Sequence, residues 1–391
     1  MNKDSFKQIL TLRYDTTLDT TLSGLGWQDY NQKNSVKDND HSIIETSIRD
    51  EISKHLENKN NTSISLSSGI DSTLVGTILE KNFSDVKVDS VSLTFSNSFD
   101  ESPFAKKIAD RLNFEHHVVY IENFLEDLPK AISITEKPFW DLHWYYIVKE
   151  AKKFSNNFLS GDGGDELFGG YTFRYKKYLS LISEKSSTLE KIKAYLSSHE
   201  RDWIQEQDEI FTEKTDFNWT EIYSILEKFF NNDLELLDQV FLADFNGKLR
   251  YNMTPLYKKI HEFFDISYNA PILNKTLLKF SSQLDYKEKY DLKTNQGKIP
   301  LIQLCKKFGM NDLISKEKKG FSIDTKNLWD NYGKNICKYF LSDARIINDG
   351  WIREDWIKKS ISKEDLDYRH VNKFLGLLAF EIWYRLFITK E

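Results

Sequence analysis

Cysteine is scarce in this 391-residue sequence: Cys305 and Cys337 are the only two. Their spacing suggests neither a zinc site nor a disulfide framework. Long apolar runs are also missing, and nothing approaches the length of a membrane span. The start, Met1-Asn2-Lys3-Asp4-Ser5-Phe6-Lys7, leads into no apolar segment, so no signal peptide is expected. A reducing cytoplasm is the expected location. No basic run stands out and the formal net charge is −6. Both count against a nucleic-acid partner, which would favour a basic face. Repeats and low-complexity tracts are absent. What remains is ordinary globular composition, with 40% hydrophobic, 29% charged and 14% aromatic residues. The length fits two domains, or one large domain with an annex.

Residues 1–41 are polar and Thr-rich and read as an N-terminal extension of loop or short strands, with a hydrophilic linker at 31–40. From Ser42 to Leu56 the residues Ile43, Ile44, Ile48 and Ile52 recur at helical spacing. Strands are predicted at Thr62–Leu66, Val86–Phe95, Glu115–Ile121 and Asn157–Ser160. Helices are predicted at Asp71–Lys81, Ser102–Leu112 and Trp144–Phe154, the second with Ser102 as N-cap and Pro103 at its first position. Such alternation implies a parallel sheet covered on both faces, an α/β core over 42–180. Strand signals fade after Tyr171, and 181–391 reads as mostly helical.

Two loops interrupt this pattern. Ser67-Ser68-Gly69-Ile70-Asp71-Ser72 lies between a predicted strand and a predicted helix. A helix N-terminus offers free N–H groups and partial positive charge to a phosphate. Gly69 permits the turn, and Ser67, Ser68 and Ser72 add hydroxyl donors. Asp71 would repel a bare phosphate, but it makes sense if a divalent metal lies between them. This is not a Walker A loop, because no Gly-Lys-Ser/Thr follows. A Ser-rich helix cap is the plain alternative. The second loop, from Ser160 to Tyr171, packs five glycines and three carboxylates into twelve residues. A structural turn needs neither that length nor that density of acid.

Ser67 to Ser72 and Ser160-Gly161-Asp162-Gly163-Gly164-Asp165-Glu166-Leu167-Phe168-Gly169-Gly170-Tyr171 together resemble the synthetase domain of the asparagine synthetase family, with Ser68 in place of a glycine. Phe99 to Ser102, Glu115-His116-His117, Glu136 to Phe139, Lys316 to Ser322 and Glu381 to Arg385 extend the resemblance over about residues 42–390. It implies an ATP-pyrophosphatase fold, a parallel α/β sheet completed by a mostly helical C-terminal part. It also implies ATP and Mg²⁺ as ligands. ATP is expected over Leu66, Ser67, Ser68, Gly69, Asp71 and Ser72, with Phe95 near the adenine and Ser160 and Gly161 touching the nucleotide. Asp71 and Asp165 match the metal-binding pair. Asp162 matches the residue that handles the proton of the attacking amine. Lys318 matches a late lysine that stabilises developing charge. Adjacent His116 and His117 point to opposite faces of a strand and are read as structural. Trp140, Trp144, Tyr145 and Tyr146 are read as core packing, with a modified acceptor pocket as the alternative.

The departures matter as much. Glutamine-using members carry a catalytic Cys after the initiator Met, whereas residue 2 here is Asn2 and no Cys precedes Cys305. Nitrogen is therefore expected from ammonia, a separate glutaminase or an amine substrate. Leu249 to Met253 and Asn269-Ala270-Pro271-Ile272-Leu273-Asn274 lack the acid and the arginine of the family's runs, which weakens the case for aspartate. The resemblance thus implies an AMP-forming amide synthetase acting on a small-molecule or peptide carboxylate, or a cyclase or amide ligase of a natural-product or glycan pathway. An enzyme modifying RNA and a catalytically degenerate scaffold are the competing readings.

Overall fold

The computed structural model describes residues 3–31, 41–96, 98–202, 204–313 and 324–391. The predicted linker at 31–40, apart from residue 31, and the lysine-rich run holding Lys316, Lys318 and Lys319 lie outside them. Five strands form one parallel sheet: β1 Asn61–Ser65, β2 Lys87–Phe95, β3 Glu115–Ile121, β4 Asn157–Leu159 and β5 Ser267–Asn269, in the order β3-β2-β1-β4-β5. The fold is the α/β, ATP-pyrophosphatase type that the sequence implied.

The central strand β1 is polar for its position. Thr62 and Ser63 are fully buried, yet their hydroxyls donate to the carbonyls of Asn157 (3.2 Å) and Ala151 (3.2 Å). Ser92 on β2 likewise donates to the Leu66 carbonyl at 2.6 Å. Buried hydroxyls with partners cost little, so the strand tolerates them. Helices Ile70–Asn82 and Ser102–Arg111 make the crossovers from β1 to β2 and from β2 to β3. The chain then returns to β4 on the other side of β1, and the order of strands reverses between β1 and β4. Open parallel sheets bind ligands at such a switch point, outside the carboxyl ends of the strands. Ser63 pairs with Phe158 and Ile64 with Leu159, so the loops after β1 and β4 emerge side by side.

Three expectations need correction. Residues 3–12 form a helix, Lys3–Leu12, instead of loop or strands. Phe6, Ile9 and Leu10 are buried, and Phe6 stacks on Phe380 at 4.1 Å and meets Phe211 edge-on at 5.5 Å. Tertiary burial overrides the weak propensity of this polar stretch. Helix Ser102–Arg111 includes Ser102 as its first residue, and the Asp100 carboxylate accepts the Ser102 N–H (2.9 Å). Finally, β5 lies beyond Tyr171, where no strand was expected.

The expectation of core packing holds for the aromatic cluster before the second loop: Trp140, Trp144 and Tyr145 are buried. Among the described residues no helix is long and apolar enough to cross a membrane.

Candidate active site

Helix Ile70–Asn82 starts directly after the first loop, with extended Gly69 as its N-cap. Its first-turn N–H groups lack intrahelical partners. The loop is held by its own hydroxyls: Ser67 Oγ accepts the Gly69 N–H at 3.1 Å, and Ser72 Oγ accepts the Ser67 N–H at 3.1 Å. The Ser68 hydroxyl donates to Glu101 at 3.0 Å. Leu66 is buried, and its N–H bonds the Val91 carbonyl at 3.0 Å. Phe95 ends β2 half-buried against Phe124.

The second loop packs onto the first at a distance only glycine allows. A Cβ on Gly161 would lie 2.5 Å from the Ser72 nitrogen, and one on Gly164 would lie 2.3 Å from the Asp71 carboxylate. Gly163 turns with φ 95°, a left-handed value that side chains rarely adopt. The short helix Gly164–Phe168 then presents Asp165 toward Asp71.

Between these carboxylates sits a cation that the sequence reading missed. Lys298 Nζ bonds Asp71 Oδ2 and lies 2.8 Å from Asp165 Oδ1, with its side chain 5% exposed. Burial alone would lower the pKa of this ammonium; the two carboxylates outweigh it and hold it raised. A Cβ on Gly170 would meet the Lys298 Cε at 2.4 Å, so that glycine makes the room. Lys298 has φ 54°, and its N–H donates to the Phe168 carbonyl at 2.8 Å, tying it to the second loop. It precedes helix Ile299–Lys307, which has a proline at its start.

Asp162 lies on the β5 side of the same mouth, half-buried. Its Oδ2 accepts from the Ser160 and Tyr268 hydroxyls, each at 2.7 Å. Burial raises this carboxyl above its ordinary value, and the two donors oppose that. Tyr268 is the second residue missed by sequence. Glu166 is buried behind the loop, bonded by Tyr171, and burial aided by Asp165 pushes it up to about 7. The expected residues Asp71, Asp162 and Asp165 therefore meet at one place. Lys318 lies outside the described residues. Two hard carboxylates from adjacent loops, beside a helix N-terminus, are a donor set that fits Mg²⁺ with a polyphosphate.

A model of the family described as asparagine synthase matches residues 44–385. The chain belongs to the asparagine synthase family. An asparagine synthetase [glutamine-hydrolyzing] 1 of Bacillus subtilis is 23% identical over 384 residues, covering 89% of this chain and 60% of that protein. A putative asparagine synthetase [glutamine-hydrolyzing] 2 of Methanocaldococcus jannaschii is 40% identical over 120 residues, 29% of this chain and 23% of that protein. The asparagine synthetase [glutamine-hydrolyzing] of Rattus norvegicus is 29% identical over 156 residues, 36% of this chain and 27% of that protein. This chain thus matches no more than 60% of the length of these family members.

The segments that depart from the family's runs flank the site. Leu273 packs on Gly163, where a Cβ would lie 2.2 Å from it. Arg250 is occupied elsewhere, donating to the Leu22 carbonyl at 2.7 Å. His116 and His117 are bonded to Ser90 (2.9 Å) and Asp89 (2.8 Å) on neighbouring β2. Asp89, Glu115 and His117 cluster closely enough to hold a metal ion, but Lys87 lies 3.8 Å from Asp89 and 3.7 Å from Glu115 and balances them.

Proposed function

We propose that this chain adenylates a carboxylate with ATP, releases pyrophosphate, and passes the acyl group to an amine nitrogen to form an amide. The observation that carries this reading is the meeting of Asp71, Asp165 and Lys298 where two glycine-rich loops close on the N-terminus of helix Ile70–Asn82. Fixed charge of both signs at one point suits a triphosphate with its metal better than a bare anion. ATP lies over Leu66 to Ser72, with the base toward Phe95 and with Ser160 and Gly161 alongside. Asp71 and Asp165 hold Mg²⁺, which when bound neutralises charge on the leaving pyrophosphate. Lys298 adds buried positive charge at the same place, and Lys318 is the second cation. Asp162 takes the proton of the attacking amine.

The acceptor is a small-molecule or peptide carboxylate, and nitrogen comes from ammonia, a separate glutaminase or an amine substrate. The family relatives named for asparagine synthesis support amide formation in general. The engagement of Arg250 elsewhere favours an acid other than aspartate. The two buried, free thiols Cys305 and Cys337 suit a reducing cytoplasm.

The test is exchange of radiolabelled pyrophosphate into ATP over a panel of carboxylic acids, beginning with L-aspartate. Acid-dependent, Mg²⁺-dependent exchange is expected. Turnover to ADP and phosphate would contradict the proposal.

A further inference from the structure

Tyr268 stands opposite Phe158 in the parallel pairing of β5 with β4, and the Ser160 N–H bonds the Asn269 carbonyl at 3.1 Å. This pairing fixes the tyrosine beside the start of the second loop. Its hydroxyl, the Ser160 hydroxyl and Asp162 Oδ2 form a closed triangle, the hydroxyls 3.1 Å apart and each 2.7 Å from the carboxylate. The ring is held from behind, stacked on His261 at 4.4 Å and 19°. His261 is held in turn by Trp144, whose Nε1–H donates to Nε2 at 3.0 Å. An indole N–H can only donate, so this nitrogen must accept, and burial keeps the imidazole neutral by lowering its pKa to about 3. Trp144 itself stacks on Tyr257 at 4.3 Å. Tyr268 therefore has neither the freedom to rotate away nor another described partner for its hydroxyl. Both donors converge on Oδ2, and among the described residues none donates to Oδ1.

We infer that Tyr268 is a positioning residue: with Ser160 it locks one oxygen of Asp162, so that the other faces the incoming amine. The inference rests on the reading of Asp162 as the proton acceptor. In that step the nitrogen lone pair forms the C–N bond and the acyl C–O bond to AMP breaks. The proton left on nitrogen passes to Asp162 and then to water. A carboxylate free to swing would spend little time aimed at the nitrogen, whereas a locked one is already oriented. The charged and titratable groups around Asp162 are Asp71 on the first loop, Asp165 and Glu166 on the second, Lys298 paired to Asp71 and Asp165, Tyr268 on β5 and Tyr257 on helix Thr254–Phe264.

The test uses the full chain labelled with ¹³C at the aspartate carboxyl carbons, titrated by NMR without nucleotide. The Asp162 signal is the one lost in Asp162→Asn. Tyr268→Phe keeps the ring and its stack but removes the donor. It is expected to raise the Asp162 titration midpoint by about one pH unit, because a donor to the charged form is lost. Ser160→Ala should shift it the same way and serves as the second variant if Tyr268→Phe is poorly folded. In parallel, amide formation by Tyr268→Phe is followed across pH with an acid that supports pyrophosphate exchange in the native chain. The acid limb of its amide-formation profile should move up with the midpoint. An unchanged midpoint in both variants overturns the inference. A native chain that exchanges with no acid overturns the adenylation reading instead, and the NMR shift still reports on Tyr268.

Discussion

Replacing Lys298 with methionine removes a positive charge that Asp71 and Asp165 share. Two carboxylates then face each other without a cation, an arrangement that costs on the order of 3–5 kcal/mol when a buried partner is lost. The variant should melt at a lower temperature, and Mg²⁺ should restore much of the loss, which calorimetry with and without the ion would show. Its pyrophosphate exchange should fall about 10²–10³-fold, the scale for losing one preorganised charge-stabilising donor. Glu166 gives a pH signature. Burial and Asp165 push it up to about 7 from 4.5, so the fold favours the neutral acid. Its stabilising contribution is complete below about pH 4.5 and lost as pH rises through 7. Urea midpoints of Glu166→Gln should therefore decline less than those of the native chain across that window. Parallel curves would contradict this. At this scale the acids were legible because Asp71, Asp162 and Asp165 sit inside two dense local motifs. Lys298 and Tyr268 were not, since each belongs to an unremarkable stretch and reaches the site only through packing across more than a hundred residues of chain.

Helix Lys3–Leu12 is a structural part of the body. Burying Phe6, Ile9 and Leu10 is worth about 1.5–3 kcal/mol each, a sum comparable to the whole stability of a typical domain. Deleting residues 1–13 should give an aggregating or unfolded chain, and Phe6→Ala alone should cost about 3–5 kcal/mol by urea unfolding. A truncated chain with a native melting curve would refute this. The Thr-rich stretch that follows obscured the helix, although Phe6, Ile9 and Leu10 do recur at helical spacing, and what fixes it are contacts with Phe211, Trp351 and Phe380. The strand β5 was hidden for a related reason. Three residues carry no readable alternation, and only pairing with β4 makes them a strand. By contrast β1 to β4 and helices Ile70–Asn82, Ser102–Arg111 and Trp144–Ala151 were visible in their own sequence, whereas helix Leu128–Thr135 between β3 and β4 was not.

The whole molecule places two loops far apart in sequence side by side at the reversal of strand order between β1 and β4. The alternation of strands and helices announced the sheet, but not the order of its strands, which long-range pairing decides. The net charge of −6 gives no general attraction for RNA, so tRNA binding in filter assays should be absent at physiological salt. In the proposed function the two loops form one magnesium–nucleotide site through Asp71 and Asp165. Calorimetric titration with the non-cleavable analogue α,β-methylene-ATP tests it without knowledge of the acid. The native chain should bind only when Mg²⁺ is present, and Asp71→Asn and Asp165→Asn should each weaken binding at least about tenfold, one lost charge contact being worth roughly 1.4 kcal/mol or more. Equal affinity in the native chain and both variants would contradict the account.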